Sequence, residues 1–109
     1  MPAPHPSRDR FLKYLRQKLP HEMPWVDASD VYDATEVRKA IVQLSQTDQN
    51  LHRILDHFMR TKMARMRIAE LTHYDSSTVK RKLDEAVDVI LQNLKMNRLL
   101  VNEALKSDT

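Results

Sequence analysis

The chain contains no cysteine, which removes disulfides, thiolate metal sites and a cysteine nucleophile and gives no sign of an oxidising compartment. Glycine is absent too. Without the residue that most readily takes positive φ, primed hairpin turns and glycine-rich phosphate loops are not expected. Proline is confined to positions 2, 4, 6, 20 and 24, so no helix breaker occurs from Trp25 onward. No apolar run approaches the roughly 18 residues of a membrane span, and the opening Met1-Pro2-Ala3-Pro4-His5-Pro6 lacks the apolar core of a signal peptide. These absences predict a soluble, all-α chain with a cytoplasmic setting as the default. Its 109 residues give room for one small helical bundle and for no large active-site cleft.

What is present is charge, unevenly placed. The net charge of +3 divides into +4 over residues 1–20, −4 over 21–59, +5 over 60–82 and −2 over 83–109. A basic block of this kind is the distribution expected of a protein that faces a polyanion, although Lys and Arg also serve simply to solvate helix faces.

Apolar periodicity supplies the elements. Phe11, Leu12, Leu15 and Leu19 fall at helical spacing after Ser7, a candidate N-cap, which predicts a helix from about Arg8 to Leu19 that Pro20 ends. His21 to Tyr32 reads as a linker, with Trp25 as its candidate anchor on the body. Residues 1–32 are accordingly set apart as a basic helix and linker, and 33–109 as the main unit. Asp33 stands three residues before Glu36, the pattern of a capping box. Val37, Ala40, Ile41 and Leu44 follow on one face of a second helix, expected to stop near Ser45. Thr47 or Asp48 caps a third, whose Leu51, Ile54, Leu55, Phe58 and Met59 form a close i, i+3, i+4, i+7, i+8 stripe. A short helix from about Ala64 to Leu71 and a long one from Ser76 to at least Leu94, extending toward Leu105, complete the chain.

The last two helices have the layout of a helix-turn-helix. Ile68, Ala69, Leu71, Val79 and Leu83 are its expected scaffold, and Ala69 is small where two helices approach closely. Ser76, Ser77, Lys80 and Arg81 are the expected base readers, because hydroxyls and cations on the first turns of a helix can enter a major groove and meet base edges and phosphates together. Arg60, Lys62, Arg65, Arg67 and Lys82 flank them as candidate phosphate contacts, which give salt-dependent affinity rather than sequence choice.

Ile68-Ala69-Glu70-Leu71, followed by Thr78-Val79-Lys80 and Leu83, resembles the helix-turn-helix of the bacterial sigma-factor domain that reads the minus-35 promoter element. The likeness extends upstream through Ala40 to Leu44 and the Leu51 to Met59 stripe, and so covers roughly residues 35–94. The same domain occurs in small phage transcription regulators of the ArpU type. The resemblance implies a sequence-specific, duplex-DNA-binding transcription regulator in which Ser76, Ser77, Lys80 and Arg81 face DNA. The turn departs from the family: Thr72, His73 and Tyr74 stand where Leu, Gly and an aliphatic residue are usual. His73 is therefore expected in the left-handed region, which His tolerates better than most residues. Ala64 and Arg67 likewise replace the usual capping Ser and its Glu. Nothing resembles the promoter-melting part of a sigma factor.

Other chemistry has little support in the residues. His52, Asp56 and His57 share part of one helix but lack the further ligand spacing of a metal site, and Ser76 and Ser77 have no base nearby in sequence. No enzyme activity, metal or cofactor is expected. Leu83, Val87, Ile90, Leu91 and Leu94 make one side of the last helix apolar. Leu99, Leu100, Val101 and Leu105 exceed what a small core needs, and this predicts a homodimer through the C-terminal helix. A protein-interaction module of the same fold, binding RNA polymerase or a partner regulator through the acidic 21–59 block and the C-terminal helix, is the alternative reading.

Overall fold

The computed structural model describes residues 6–27, 30–60 and 65–107, with side chains for 8–27, 30–60 and 65–104. Five helices carry the fold: α1 (Pro6–Gln17), α2 (Ala34–Thr47), α3 (Gln49–Arg60), α4 (Arg65–Thr72) and α5 (Ser76–Ser107). A 3₁₀ turn at Leu19–His21 and a two-stranded sheet, β1 (Trp25–Asp27) and β2 (Asp30–Tyr32), lie between α1 and α2. The expected all-α bundle with a long C-terminal helix is what forms. No described helix is long and apolar enough to cross a membrane.

Helix ends follow local chemistry. The Asp33 side chain accepts the Glu36 N–H at 2.7 Å and caps α2, satisfying one of the donors that a helix start leaves open. Asp48 then serves two helices. Its N–H closes α2 on Leu44 O at 2.8 Å, and its carboxylate accepts the Leu51 N–H at 3.1 Å to open α3. The second helix therefore runs two residues past the expected stop at Ser45. Ser7 lies inside α1, which is already helical at Pro6, so it is not the cap. The expected start of α4 at Ala64 falls outside the described residues.

One core joins every helix. Phe11 and Leu15 of α1, Leu44 of α2, Ile54 and Leu55 of α3, Ile68 of α4, and Leu83, Ile90 and Leu94 of α5 are all essentially inaccessible to solvent. Burial of each such side chain contributes about 1.5–3 kcal/mol. Residues 8–19 are thus part of the same packed body as α2 to α5.

The segment read as a linker is instead a small hairpin, formed without glycine. Its register pairs Trp25 with Tyr32, Val26 with Val31 and Asp27 with Asp30. Alternation explains its stability. Trp25 and Tyr32, directly opposed, are both buried on the body, while Val26 and Val31 on the other face are half exposed. Trp25 meets the Phe11 ring edge-on at 5.0 Å and lies 5.4 Å from Tyr14, and Arg98 of α5 covers Tyr32 at 4.4 Å. The strands are held at their open end by these aromatic anchors, so a favourable turn residue is not what fixes them. The expectation that Trp25 anchors this segment holds.

Candidate nucleic-acid interface

α4 and α5 meet across a three-residue connection, His73-Tyr74-Asp75, and each residue has a distinct physical task. His73 takes φ of 62°, in the left-handed region as expected for it. Thr72 Oγ1 donates to Ile68 O at 2.7 Å, tying off the last turn of α4. Tyr74 packs partly buried against the core, and its hydroxyl accepts from Asn50 Nδ2 at 3.1 Å. Asp75 caps α5, accepting the Thr78 N–H at 2.7 Å and the Ser77 hydroxyl at 2.9 Å.

Four of the five scaffold residues are buried: Ile68, Ala69, Val79 and Leu83. Leu71 is not. It is 45% exposed, and helix geometry gives the reason. At about 100° per residue, the buried arc of α4 is centred between Ile68 and Ala69. Thr72 falls on that arc and Leu71 roughly 110° away from its centre. Thr72 takes the inward place assigned to Leu71.

The four expected readers divide into two settings. Ser77 and Arg81 are one turn apart on the outward side of α5, and both are exposed. Ser76, Ser77 and Lys80 share a shallow depression with Arg65 and Met66 of α4. Lys80, however, is half buried and directed toward α1, with Nζ 3.5 Å from Asp84 Oδ2 and 3.7 Å from Asp9 Oδ1. The Asp75 carboxyl is held below the usual carboxylate range, first by the Thr78 hydroxyl, then by the Thr78 N–H and the Ser77 hydroxyl, with Arg81 adding attraction. A carboxylate that stays ionised thus stands at the tip of the helix.

The phosphate candidates are also largely engaged. Arg60 pairs with Asp56 at 3.4 Å and Arg67 with Glu70 at 3.0 Å. Lys82 lies over the Tyr74 ring at 5.3 Å. Arg65 is exposed beside the depression. Lys62 lies outside the described residues. The exposed ion pairs are weak, each contributing about 0–1 kcal/mol in water, so a phosphate can displace them.

Three features of this surface escape a reading based on the basic residues alone. Asp75 was signalled by its place just before the long helix, with Thr78 three residues on. Asp9 and Arg8 had no local signal, because they reach the site through the tertiary packing of α1. Arg8 forms a bidentate pair with Asp88, Nε to Oδ1 at 2.8 Å and Nη2 to Oδ2 at 2.6 Å, and so fixes α1 along α5. Among the described residues no group of three or more His, Cys, Asp or Glu is placed to hold a metal ion, and Asp56 is in the ion pair with Arg60. Comparison with known proteins found no matching family model, no matching curated protein and no matching solved structure.

Proposed function

We propose that the chain is a sequence-specific, duplex-DNA-binding regulator of transcription that acts without covalent chemistry by lowering the first turns of α5 into a major groove. The observation that carries this reading is the α4–His73–α5 unit. Ile68, Ala69, Val79 and Leu83 of the two helices are buried on either side of a tight left-handed turn, and Ser76, Ser77 and Arg81 near the start of the second helix are left exposed. Ser77 and Arg81 supply base-edge contacts, and Ser76 and Lys80 border them. Arg65, with Arg60, Arg67 and Lys82 once their present contacts exchange for phosphate, fixes the register. The sigma-like resemblance of residues 35–94 supports the same function, with RNA polymerase as a further partner and a second copy of the chain docking through α5.

Exchange of Lys80 and Arg81 for alanine is expected to abolish specific retention of duplex DNA in a mobility-shift assay while circular dichroism shows unchanged helix content. A bidentate Arg–guanine contact contributes about 1–3 kcal/mol of discrimination. With roughly four phosphate contacts, a fourfold rise in salt lowers affinity about 150-fold. A duplex selected from a random pool supplies the probe. Unchanged retention of that probe by the double variant would sink the assignment.

A second reading, a protein-interaction module of the same fold, is favoured by the charge of the reading helix itself. Lys80, Arg81 and Lys82 are outnumbered there by Asp75, Asp84, Glu85 and Asp88. An apolar groove also lies away from that helix, lined by Leu15, Leu19, Ile41, Val42 and Met59 and bordered by Arg38 and Arg60. Under this reading little DNA is retained at any salt concentration.

A further inference from the structure

The last third of α5 carries an apolar stripe that the body does not cover. α5 has 32 residues, about 48 Å of helix at 1.5 Å per residue, whereas the molecule measures only 31 and 30 Å across its shorter axes. Beyond Leu94, the last buried residue of the helix among those whose side chains are described, Met96, Leu99 and Leu100 are 47, 56 and 59% exposed. At about 100° per residue these three occupy one arc of roughly 100°, on the side of the helix opposite Ile90 and Leu94. Gln92 and Glu103 fall on the same arc, one before the apolar residues and one after, and Lys95 borders it. All three of these polar residues are exposed.

We propose that this stripe is the interface with a second copy of the chain, and that the two α5 helices pair antiparallel about a two-fold axis near residues 97–98. Charge decides the occupant and the orientation. In parallel pairing Glu103 meets the partner's Glu103, a like-charge contact on the interface seam. In antiparallel pairing Met96 packs on the partner's Leu99 and Leu99 on the partner's Met96. Glu103 then falls against the partner's Gln92 and Lys95, an amide and an ammonium that complement it. The same complement recurs at the other end by symmetry, so one patch is self-complementary, as an isologous dimer requires. Three half-exposed side chains cover less than the roughly 800 Å² per partner of a standard interface, which places the pair among weak, transient dimers.

This inference rests on the reading that a second copy docks on α5, but it needs no DNA, so it is tested on the full chain alone. Sedimentation equilibrium is expected to show a monomer–dimer equilibrium over about 1–200 µM. Leu99→Arg should weaken it at least tenfold with helix content unchanged, because the side chain is exposed. Glu103→Lys should weaken it several-fold, and Glu103→Lys with Lys95→Glu should recover most of the loss. Because the sequence holds no cysteine, a spin label on Glu85→Cys is unique. The antiparallel pair places two such labels about 38 Å apart, at 1.5 Å per residue on either side of the axis, whereas parallel helices place them near the 8–10 Å interaxial spacing plus the reach of the labels. A monomer at 200 µM, a dimer unaffected by Leu99→Arg, or a short label distance would each overturn the proposal.

Discussion

Replacing His73 with glycine is expected to stabilise the fold slightly and to leave the presentation of α5 unchanged. His73 holds φ of 62°. A side chain with a Cβ in that region costs roughly 1–2 kcal/mol, and His sits toward the low end because it visits the region several-fold more often than most residues. Glycine removes this cost, but its greater freedom in the unfolded chain takes back roughly 0.5–1 kcal/mol. The net gain is therefore about 0–1 kcal/mol. Valine, β-branched and poorly suited to positive φ, should lose more than about 1 kcal/mol relative to His. The gap between the Gly and Val variants, about 2 kcal/mol, corresponds to roughly 8 °C or more in Tm for a domain of this size. Thermal and urea unfolding followed by circular dichroism measure it, and the mobility-shift assay checks that the Gly variant still presents α5 correctly. A valine variant as stable as the parent, or a glycine variant more than about 1 kcal/mol below it, would show that the left-handed turn is not what connects α4 to α5.

Two further outcomes follow from the burial pattern. Ile68→Ala should cost about 2–4 kcal/mol because it leaves a cavity between α4 and α5, whereas Leu71→Ala, at a side chain 45% exposed, should cost less than about 1 kcal/mol. Equal losses in urea unfolding would mean that Leu71 is part of the scaffold after all. Tyr14 donates its hydroxyl to Met23 O at 2.7 Å, and burial raises its pKa above the ordinary tyrosine value of 10.0. Its ionised form is thus disfavoured in the fold, so its contribution to stability is intact below pH 10 and declines as pH rises through the unfolded and then the folded pKa. Trp25 fluorescence, sensitive to its contact with Tyr14, should report an alkaline loss of stability that Tyr14→Phe reduces, and an identical alkaline profile in that variant would refute the assignment.

Patterns confined to one helix were legible in the sequence. The Asp33 cap and the Leu51 to Met59 stripe depend on near neighbours within one helix, and both formed as the spacing predicted; the left-handed position of His73 was implied by the resemblance alone. Leu71 was misplaced because α4, at eight residues, gives too few apolar positions to fix the centre of its buried arc. The true centre was set by contacts with α5. The hairpin was missed for a related reason. Absence of glycine argues against the turn, but the opposed Trp25 and Tyr32 are anchored by Phe11, Tyr14 and Arg98, which lie 14, 11 and 66 residues from their partners in the chain and have no local signature.

Charge was the least legible property, because a count along the chain does not say which cations are already matched. The first twenty residues appeared as a second basic patch for a polyanion. In the fold, Arg8 holds Asp88, Arg10 lies 5.7 Å from the Trp25 ring centre, and Arg16 donates to Phe58 O at 3.1 Å while stacking on the Phe58 ring at 4.1 Å. These guanidiniums fasten α1 to the hairpin, α3 and α5. The attachment carries Asp9 to within 3.7 Å of Lys80, so the basic N-terminal helix also brings a carboxylate beside one of the proposed readers. An exposed pair of this kind is weak enough to exchange for a phosphate or a base edge, but the exchange must release a carboxylate near the incoming polyanion. Discrimination among sequences is therefore expected to rest more on Arg81, exposed on the outward face, than on Lys80.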